Sequence, residues 1–307
     1  MRYPVALAAL AVSTFALAQP PKSDAGAAAT VNGETIALAD VDAVLKHTLP
    51  LTPLNAVQRR QMRLEVLADM VDDVLLRQFL RKHGPKVDPT EIDAQLKAYG
   101  EKLQKDGKTL AVWYKETGQT EALVREAWTT AMQLTGYVKS VATEEQLKAY
   151  FVANRDHFDR VEVKVRHIVF RAGKNAPPAE RAASKEKLTA LRVRIAAGKL
   201  DFATAAKKHS QCPSAPTGGD LGYILRKGGL MDESFAKAAF ALKPNDLSAV
   251  IETDFGYHIL QVIDRKPGTP TTYNKSATDV LDTYADDFRT ELVAKLRKQA
   301  QVTVSVQ

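Results

Sequence analysis

The spacing of apolar residues changes at Val161, and this change limits the folds open to the chain. Before it, apolar residues recur at three- and four-residue intervals, as at Leu67, Met70 and Val71, which is typical of amphipathic helices. From Val161 onward, valines alternate with polar residues, which favours a strand. We therefore predict a nearly all-helical region over residues 36–155, followed by a region that mixes strands and helices.

Capping signals predict where several helices begin. Thr52 with Pro53 precedes the long apolar stripe, and Asp88 precedes a second stripe. Thr143 with Gln146 is a capping box, in which each residue can bond the backbone N–H of the other. These signals predict separate helices rather than one continuous rod.

Strand signals lie at both ends and in the middle of the chain. Residues 30–36 read as a strand interrupted by an Asn-Gly turn, and residues 302–306 as a terminal strand that could pair with it. The mixed region is predicted to hold strands near 161–170, 250–251 and 257–263, helices over 178–197, 202–208 and 232–240, and a glycine-rich loop at 213–222. A final helix is predicted over 278–299.

The first residues have the pattern of a secretory signal peptide. Arg2 is followed by an apolar run over residues 5–17, and Ala16-Leu17-Ala18 is a small-x-small cleavage site. The run is short for a membrane span, although an uncleaved anchor is the alternative. We expect export through the Sec pathway, cleavage after Ala18, a flexible tail at residues 19–29 and a periplasmic location.

Charge and cysteine content narrow the classes of function. The formal net charge is +7, but basic residues are mixed with acids, so no basic stripe predicts nucleic-acid binding. The single cysteine, Cys212, excludes an intramolecular disulfide and a Cys-x-x-Cys site. We expect no metal, no cofactor and no membrane span in the mature chain.

Four short segments between Val161 and Lys266 occur in the order and spacing of a known domain. They are Arg166-His167-Ile168-Val169, then Phe202–Ala206 with Ser210-Gln211-Cys212-Pro213-Ser214, then Gly218-Gly219-Asp220-Leu221-Gly222, and finally Met231, Phe235, Ala239 and Phe240 with Phe255-Gly256-Tyr257-His258-Ile259-Leu260. Together they resemble the parvulin (PpiC, rotamase) domain of peptidyl-prolyl cis–trans isomerases. The flanks resemble, more loosely, exported foldases of the SurA and PrsA kind.

The resemblance implies an α+β fold in which a parvulin domain is inserted in an all-helical chaperone-like module. Its implied parts are a signal peptide (1–18), a tail (19–29), the helical module (30–160), the parvulin domain (161–268) and a C-terminal helix and strand completing the module (269–307). The parvulin domain would hold a four-stranded antiparallel sheet with surrounding helices.

The resemblance also implies the catalytic residues. His167 and His258 match the paired histidines of the parvulin site, and Cys212 matches a position near the substrate carbonyl. The histidines can act chemically or can hold each other and the sheet in register. Cys212 can act by hydrogen bonding or be a buried apolar residue.

A proline-binding pocket follows from the same resemblance. Leu221, Met231 and Phe235 match its apolar wall, and the last two, four residues apart, are expected on one helix face. Phe255 stands where some parvulins carry a hydroxyl residue, so it removes a polar contact and is expected to add apolar wall.

The implied function is isomerisation of X–Pro bonds in unfolded or partly folded exported polypeptides, with associated chaperone activity. The alternative is a chaperone whose isomerase domain is weak or inactive and serves to bind polypeptide. The loop after the first strand holds only Arg171 and Lys174, which does not predict phosphate recognition. A homodimer is left open by the sequence.

Overall fold

The computed structural model describes residues 26–48, 56–173, 176–228 and 231–306. The chain divides into two compact units: residues 1–147 with 281–307, called here the helical unit, and residues 148–280, the mixed unit. The mixed unit is larger than the 161–268 expected from sequence. Phe151, Phe158 and Tyr273 explain part of the extension, because their rings pack on one another.

The elements follow one another in this order: β1 (Ala27–Val31), β2 (Glu34–Ala37), α1 (Leu38–Thr48), α2 (Ala56–His83), α3 (Pro89–Lys105), α4 (Leu110–Thr117), α5 (Glu121–Val141), α6 (Glu144–Ala153), α7 (Arg155–Phe158), β3 (Glu162–Arg171), α8 (Pro178–Ala196), α9 (Phe202–His209), β4 (Asp220–Leu225), α10 (Glu233–Phe240), β5 (Ile251–Thr253), β6 (Gly256–Lys266), α11 (Tyr273–Gln299) and β7 (Val302–Val304). A short 3-10 turn covers Ala215–Thr217. Among the described residues, no helix is long and apolar enough to cross a membrane.

A three-stranded sheet in the helical unit joins the two ends of the chain. Its order is β2-β1-β7, with both pairs antiparallel, so the predicted pairing of the terminal strand with the N-terminal strand is confirmed. Asn32 and Gly33 form the hairpin turn at φ 49° and 86°, a conformation that asparagine and glycine tolerate best.

The expected flexible tail at 19–29 is wrong for its last three residues. Ala27, Ala28 and Ala29 belong to β1, and Ala28 and Ala29 are fully buried in a core with residues of α1 and α2. Their small side chains let the strand approach the helices closely. Residues 1–25, including the predicted cleavage site, lie outside the described residues.

The helices of this unit follow the predicted stripes and caps. Leu67, Met70 and Val71 are buried on α2. Thr143 N donates to Gln146 Oε1 at 2.8 Å and Gln146 N to Thr143 Oγ1 at 3.2 Å, which confirms the capping box. The predicted cap at Thr52 and Pro53 lies outside the described residues.

The mixed unit is built on an antiparallel sheet of order β4-β3-β6-β5. Helix α10 covers one face through Phe235, Ala239 and Phe240, while α8 and α9 cover the other. The predicted glycine-rich loop at 213–222 ends in strand β4, which the sequence analysis missed because Gly222 breaks its alternation. Helix α11 begins five residues before the predicted position.

Candidate active site

Two buried histidines lie side by side on neighbouring central strands. His167 is opposite Leu260 in the β3–β6 register and His258 is opposite Val169, which makes the histidines diagonal neighbours. Both histidines are buried, and each residue is only 6% exposed. Their Nδ1 atoms are 3.4 Å apart, and their rings are stacked with centroids 5.5 Å apart. The structure thus brings together the two histidines that the sequence singled out.

A threonine that the sequence analysis missed extends this pair. Thr253 Oγ1 lies 2.8 Å from His258 Nε2, accepts a hydrogen bond from the backbone N–H of Phe255, and lies 3.4 Å from the carbonyl oxygen of Gly256. The residue is 8% exposed. No sequence signal marks it, because a threonine near the end of a short strand is common.

The threonine and the histidines form one hydrogen-bonded chain with two proton arrangements. If Thr253 donates to His258 Nε2, then His258 Nδ1–H donates to His167 Nδ1. If Thr253 donates to Gly256, both imidazole protons point the other way. In both arrangements His167 Nε2 is the open end, and no group among the described residues bonds it.

Burial keeps both imidazoles neutral near pH 7. The pKa of His167 is lowered to about 4, first by desolvation and then by repulsion from His258. Desolvation alone lowers the pKa of His258 to about 4. A neutral pair can hold and exchange a hydrogen bond without adding charge to the site.

Phe235 closes the apolar side of the histidine pair. It is 3% exposed, and its ring meets His167 and His258 edge-on at centroid distances of 5.6 and 5.7 Å. Asp232 caps α10 by accepting from the backbone N–H groups of Ser234 and Phe235, which fixes the start of the helix.

The expectation that Met231 shares a helix face with Phe235 is wrong. Helix α10 begins at Glu233, and Asp232 already has the extended conformation of a cap, so Met231 precedes the helix. The three apolar residues proposed beside Phe235 differ in exposure. Leu221 is half-buried against the Phe235 core, Met231 is 37% exposed, and Phe255 is 69% exposed at the β5–β6 turn.

Cys212 lies in a segment held beside β3. Ser210 Oγ accepts from the backbone N–H groups of Val169 and Cys212, and the N–H of Gln211 donates to the carbonyl of Val169. The Cys212 residue is partly exposed. Its segment therefore runs alongside the strand that carries His167.

The glycine-rich segment approaches the same strand closely. The backbone N–H of His167 donates to the carbonyl of Gly219 at 2.9 Å. Gly219 has φ 82°, and a Cβ there would lie 2.2 Å from the carbonyl oxygen of His167. Only glycine fits this position, which accounts for the Gly218-Gly219 pair as a packing requirement rather than a phosphate loop.

Comparison with known families agrees with this geometry. Residues 167–264 match the PPIC-type PPIASE domain, described as Rotamase, and residues 3–134 match the SurA-like N-terminal domain. The first match holds all seven site residues predicted from sequence.

Curated relatives with similar sequences are chaperones and isomerases. Chaperone SurA of Thiobacillus denitrificans is 24% identical over 232 residues, 72% of this chain and 50% of that protein. Chaperone SurA of Cupriavidus metallidurans is 41% identical over 109 residues, 35% of this chain and 21% of that protein. A putative peptidyl-prolyl cis-trans isomerase SurA of Haemophilus influenzae is 27% identical over 259 residues, 78% of this chain and 81% of that protein.

The chain spans half the length of the Thiobacillus relative and about a fifth of the Cupriavidus one. Each family match falls within one compact unit: the SurA-like match lies in the helical unit and the Rotamase match in the mixed unit. Residues 3–134 are therefore similar to a SurA-like N-terminal domain, and residues 167–264 are similar to a PPIC-type PPIASE domain.

Proposed function

We propose that the protein is a peptidyl-prolyl cis–trans isomerase that acts on X–Pro bonds of unfolded or partly folded polypeptides. The observation that carries the proposal is the contact of one buried aromatic ring, Phe235, with both neutral imidazoles. It places an apolar wall directly beside a polar pair that carries no charge near pH 7.

Such an arrangement suits the reaction. Rotation about an X–Pro bond loses amide resonance and faces a barrier of about 18–20 kcal/mol, and no bond to the enzyme is required. A catalyst needs to bind the twisted amide better than the planar forms. A wall formed by Phe235, Leu221 and Met231 would hold the proline ring, since Leu221 and Met231 retain exposed surface.

The polar residues would act on the rest of the amide. We propose that His167 and Cys212 face the twisted bond and that His258, held by Thr253, positions His167. Phe255 would extend the apolar surface at the rim of the site, because most of its side chain is exposed. None of these roles needs net proton transfer.

A protease-free isomerisation assay on an unphosphorylated X–Pro peptide tests the proposal. The wild-type protein should accelerate exchange, and the Phe235→Leu variant, which keeps an apolar side chain but loses the ring, should reduce kcat/KM by about tenfold or more. No acceleration by the folded wild-type protein would overturn it.

The matched control removes an aromatic ring from the opposite face of the same sheet. Phe202→Leu changes a residue that is 2% exposed, in the core under α8 and α9. Both variants lose similar buried area, so a stability effect should be shared. Activity should fall only in the Phe235 variant.

Chaperone activity is the second candidate, either beside isomerisation or in place of it. The exposed Phe255 ring cannot donate the hydrogen bond that a hydroxyl residue would give. It therefore favours apolar binding of polypeptides over strong catalysis. We expect suppression of aggregation to survive in a Met231→Ala, Phe235→Ala double variant. Equal loss of both activities in a folded double variant would contradict two separate sites.

Export completes the proposal. The signal pattern at residues 1–18 supports cleavage after Ala18 and a periplasmic location. Mass spectrometry of the protein recovered from periplasm should give a chain that starts at Gln19. A homodimer stays a prediction that sedimentation of that mature chain can decide.

A further inference from the structure

The positive charge of this protein is concentrated in one of its two units. Residues 148–280 contain 22 Lys and Arg against 14 Asp and Glu, whereas the rest of the chain contains 21 against 22. Within the mixed unit, the segment 178–209 alone holds eight basic and three acidic residues. The excess therefore lies mainly along α8 and α9.

Four exposed cations of this segment form what we call the basic patch: Arg194, Lys199, Lys207 and Lys208. The apolar faces of α8 and α9 pack into one core beneath them through Leu188, Leu191 and Phe202. Desolvation by burial, followed by repulsion from Lys208 and Arg194, lowers the pKa of His209 at the end of α9.

Three acidic residues of the mixed unit are paired with cations. Asp220 bonds Lys164 at 3.3 Å, Glu233 bonds Arg226 at 2.6 Å, and Glu252 bonds Arg181. By contrast, no acidic partner among the described residues lies within bonding distance of the four patch cations. The segment 178–209 therefore carries a formal net charge of +5, from eight basic and three acidic residues.

Two residues of the basic patch adjoin the segment that lies beside the proposed site, while α8 and α9 themselves cover the opposite face of the sheet from Phe235. Lys207 and Lys208 end α9, and the next residues form the Ser210–Cys212 segment that is hydrogen-bonded to β3 beside His167. An acidic polypeptide that extends several residues beyond its proline can approach Lys207 and Lys208 from that segment, since an extended chain spans about 3.3 Å per residue.

We propose that the basic patch attracts acidic segments of unfolded polypeptides, so that X–Pro bonds flanked by Asp and Glu are the preferred substrates. This inference rests on the proposed isomerase function. Long-range attraction acts on encounter and binding. We therefore expect acidic flanks to lower the KM of a substrate and to leave kcat unchanged. It is also weakened by salt, since screening shortens the range of surface charges to about 10 Å at 0.1 M.

Three fluorescent peptides with the same X–Pro core test it, with flanks of four glutamates, four serines or four lysines. At about 0.02 M salt, kcat/KM for the glutamate peptide should exceed that for the lysine peptide by about tenfold, falling to about twofold or less near 0.5 M. The triple variant Arg194→Glu, Lys207→Glu, Lys208→Glu should abolish or invert the order.

A matched control carries the same charge change elsewhere. Lys97→Glu, Lys102→Glu, Lys105→Glu alters three exposed residues of α3, and Lys102 and Lys105 lie in the last turn of their helix, as Lys207 and Lys208 do. It reproduces the net charge and the helix-terminus effect. The peptide order should survive in this control, and its loss there would overturn the assignment to the patch.

Two further readouts separate the outcomes. Anisotropy of the labelled peptides measures binding directly, so a protein without turnover would refute the proposed isomerase and still decide the charge preference. Equal affinity for all three peptides would overturn the inference. Patch-dependent binding to phosphatidylglycerol vesicles without a peptide preference would overturn it as well, and would assign the patch to a membrane surface.

Discussion

Each unit of this protein buries ionisable groups. Burial raises the pKa of the buried carboxyl in one unit and lowers the pKa of the buried histidines in the other. In the helical unit, Asp73 lies on α2 with its side chain 5% exposed and bonds Arg289 of α11 at 2.7 Å, yet desolvation raises its pKa to about 6. In the mixed unit, desolvation lowers the pKa of His167 and His258 to about 4. The same physical cause favours the neutral form in both places.

The consequence for stability has opposite sign in the two units. A carboxyl whose folded pKa is raised binds its proton more tightly when folded, so it adds stability as pH falls from 6 toward its ordinary value of 3.8. Histidines whose folded pKa is lowered resist protonation when folded, so they lose stability as pH falls from 6.5 toward 4. Through these groups, mild acid should therefore stabilise the helical unit and destabilise the mixed unit.

The largest expected effect is acid destabilisation of the mixed unit. Between pH 7 and pH 4.5, the free energy of unfolding should fall by about 3 kcal/mol for the first proton that the histidine pair takes up. Hydrogen exchange of the β3 and β6 amides measures it. Protection of these strands that is the same at both pH values would contradict the neutral, desolvated pair.

The helical unit offers an internal reference for that experiment. Both tryptophans, Trp113 and Trp128, pack together with Tyr99 in this unit, so tryptophan fluorescence follows it alone. Its unfolding transition should resist the same acidification better than exchange from β3 and β6 does.

A smaller effect is expected from Asp73→Asn. Asparagine keeps a hydrogen-bond acceptor for Arg289 without the cost of a buried charge, so the variant should equal or exceed the wild type in stability at pH 7, by about 1 kcal/mol. Denaturant unfolding followed by tryptophan fluorescence measures it. The difference should vanish near pH 4, where the wild-type carboxyl is neutral; a variant less stable by several kcal/mol at pH 7 would show that the Arg289 pair outweighs desolvation.

The smallest effect is expected at the ion pair between Arg226 and Glu233, which stand before and after Met231 in the sequence. Arg226, whose side chain is 13% exposed, donates to both carboxylate oxygens of Glu233 at 2.6 and 2.9 Å and so ties the end of β4 to the start of α10. Arg226→Ala should raise KM about fivefold with little change in kcat, in line with about 1 kcal/mol for a partly exposed pair.

Lys227→Ala provides the control for that variant, because it removes the same charge from the neighbouring residue. Isomerase kinetics that change equally in both variants would mean that charge, and not the fork to Glu233, matters. The charge-reversed pair Arg226→Glu, Glu233→Arg should bring KM part of the way back to the wild-type value.

The sequence predicted features that depend on local chemistry and on a recognisable order of motifs. The capping box at Thr143, the pairing of the terminal strand and the meeting of His167 with His258 fall in this class. It missed features that depend on tertiary contacts, such as the bond from Thr253 to His258. It also placed Met231 on the helix face of Phe235, because Asp232 was read as a helical residue and not as the cap.

The pH dependence of isomerisation tests the central claim most directly. If burial keeps the histidine pair neutral and Phe235 supplies the apolar wall, kcat/KM should be flat from pH 8 to about 5.5 and should fall only as pH approaches 4, the pKa of the pair. An inflection near 6.5, the ordinary pKa of histidine, would contradict the account, because it would show an imidazole that is solvated and exchanges protons during the reaction.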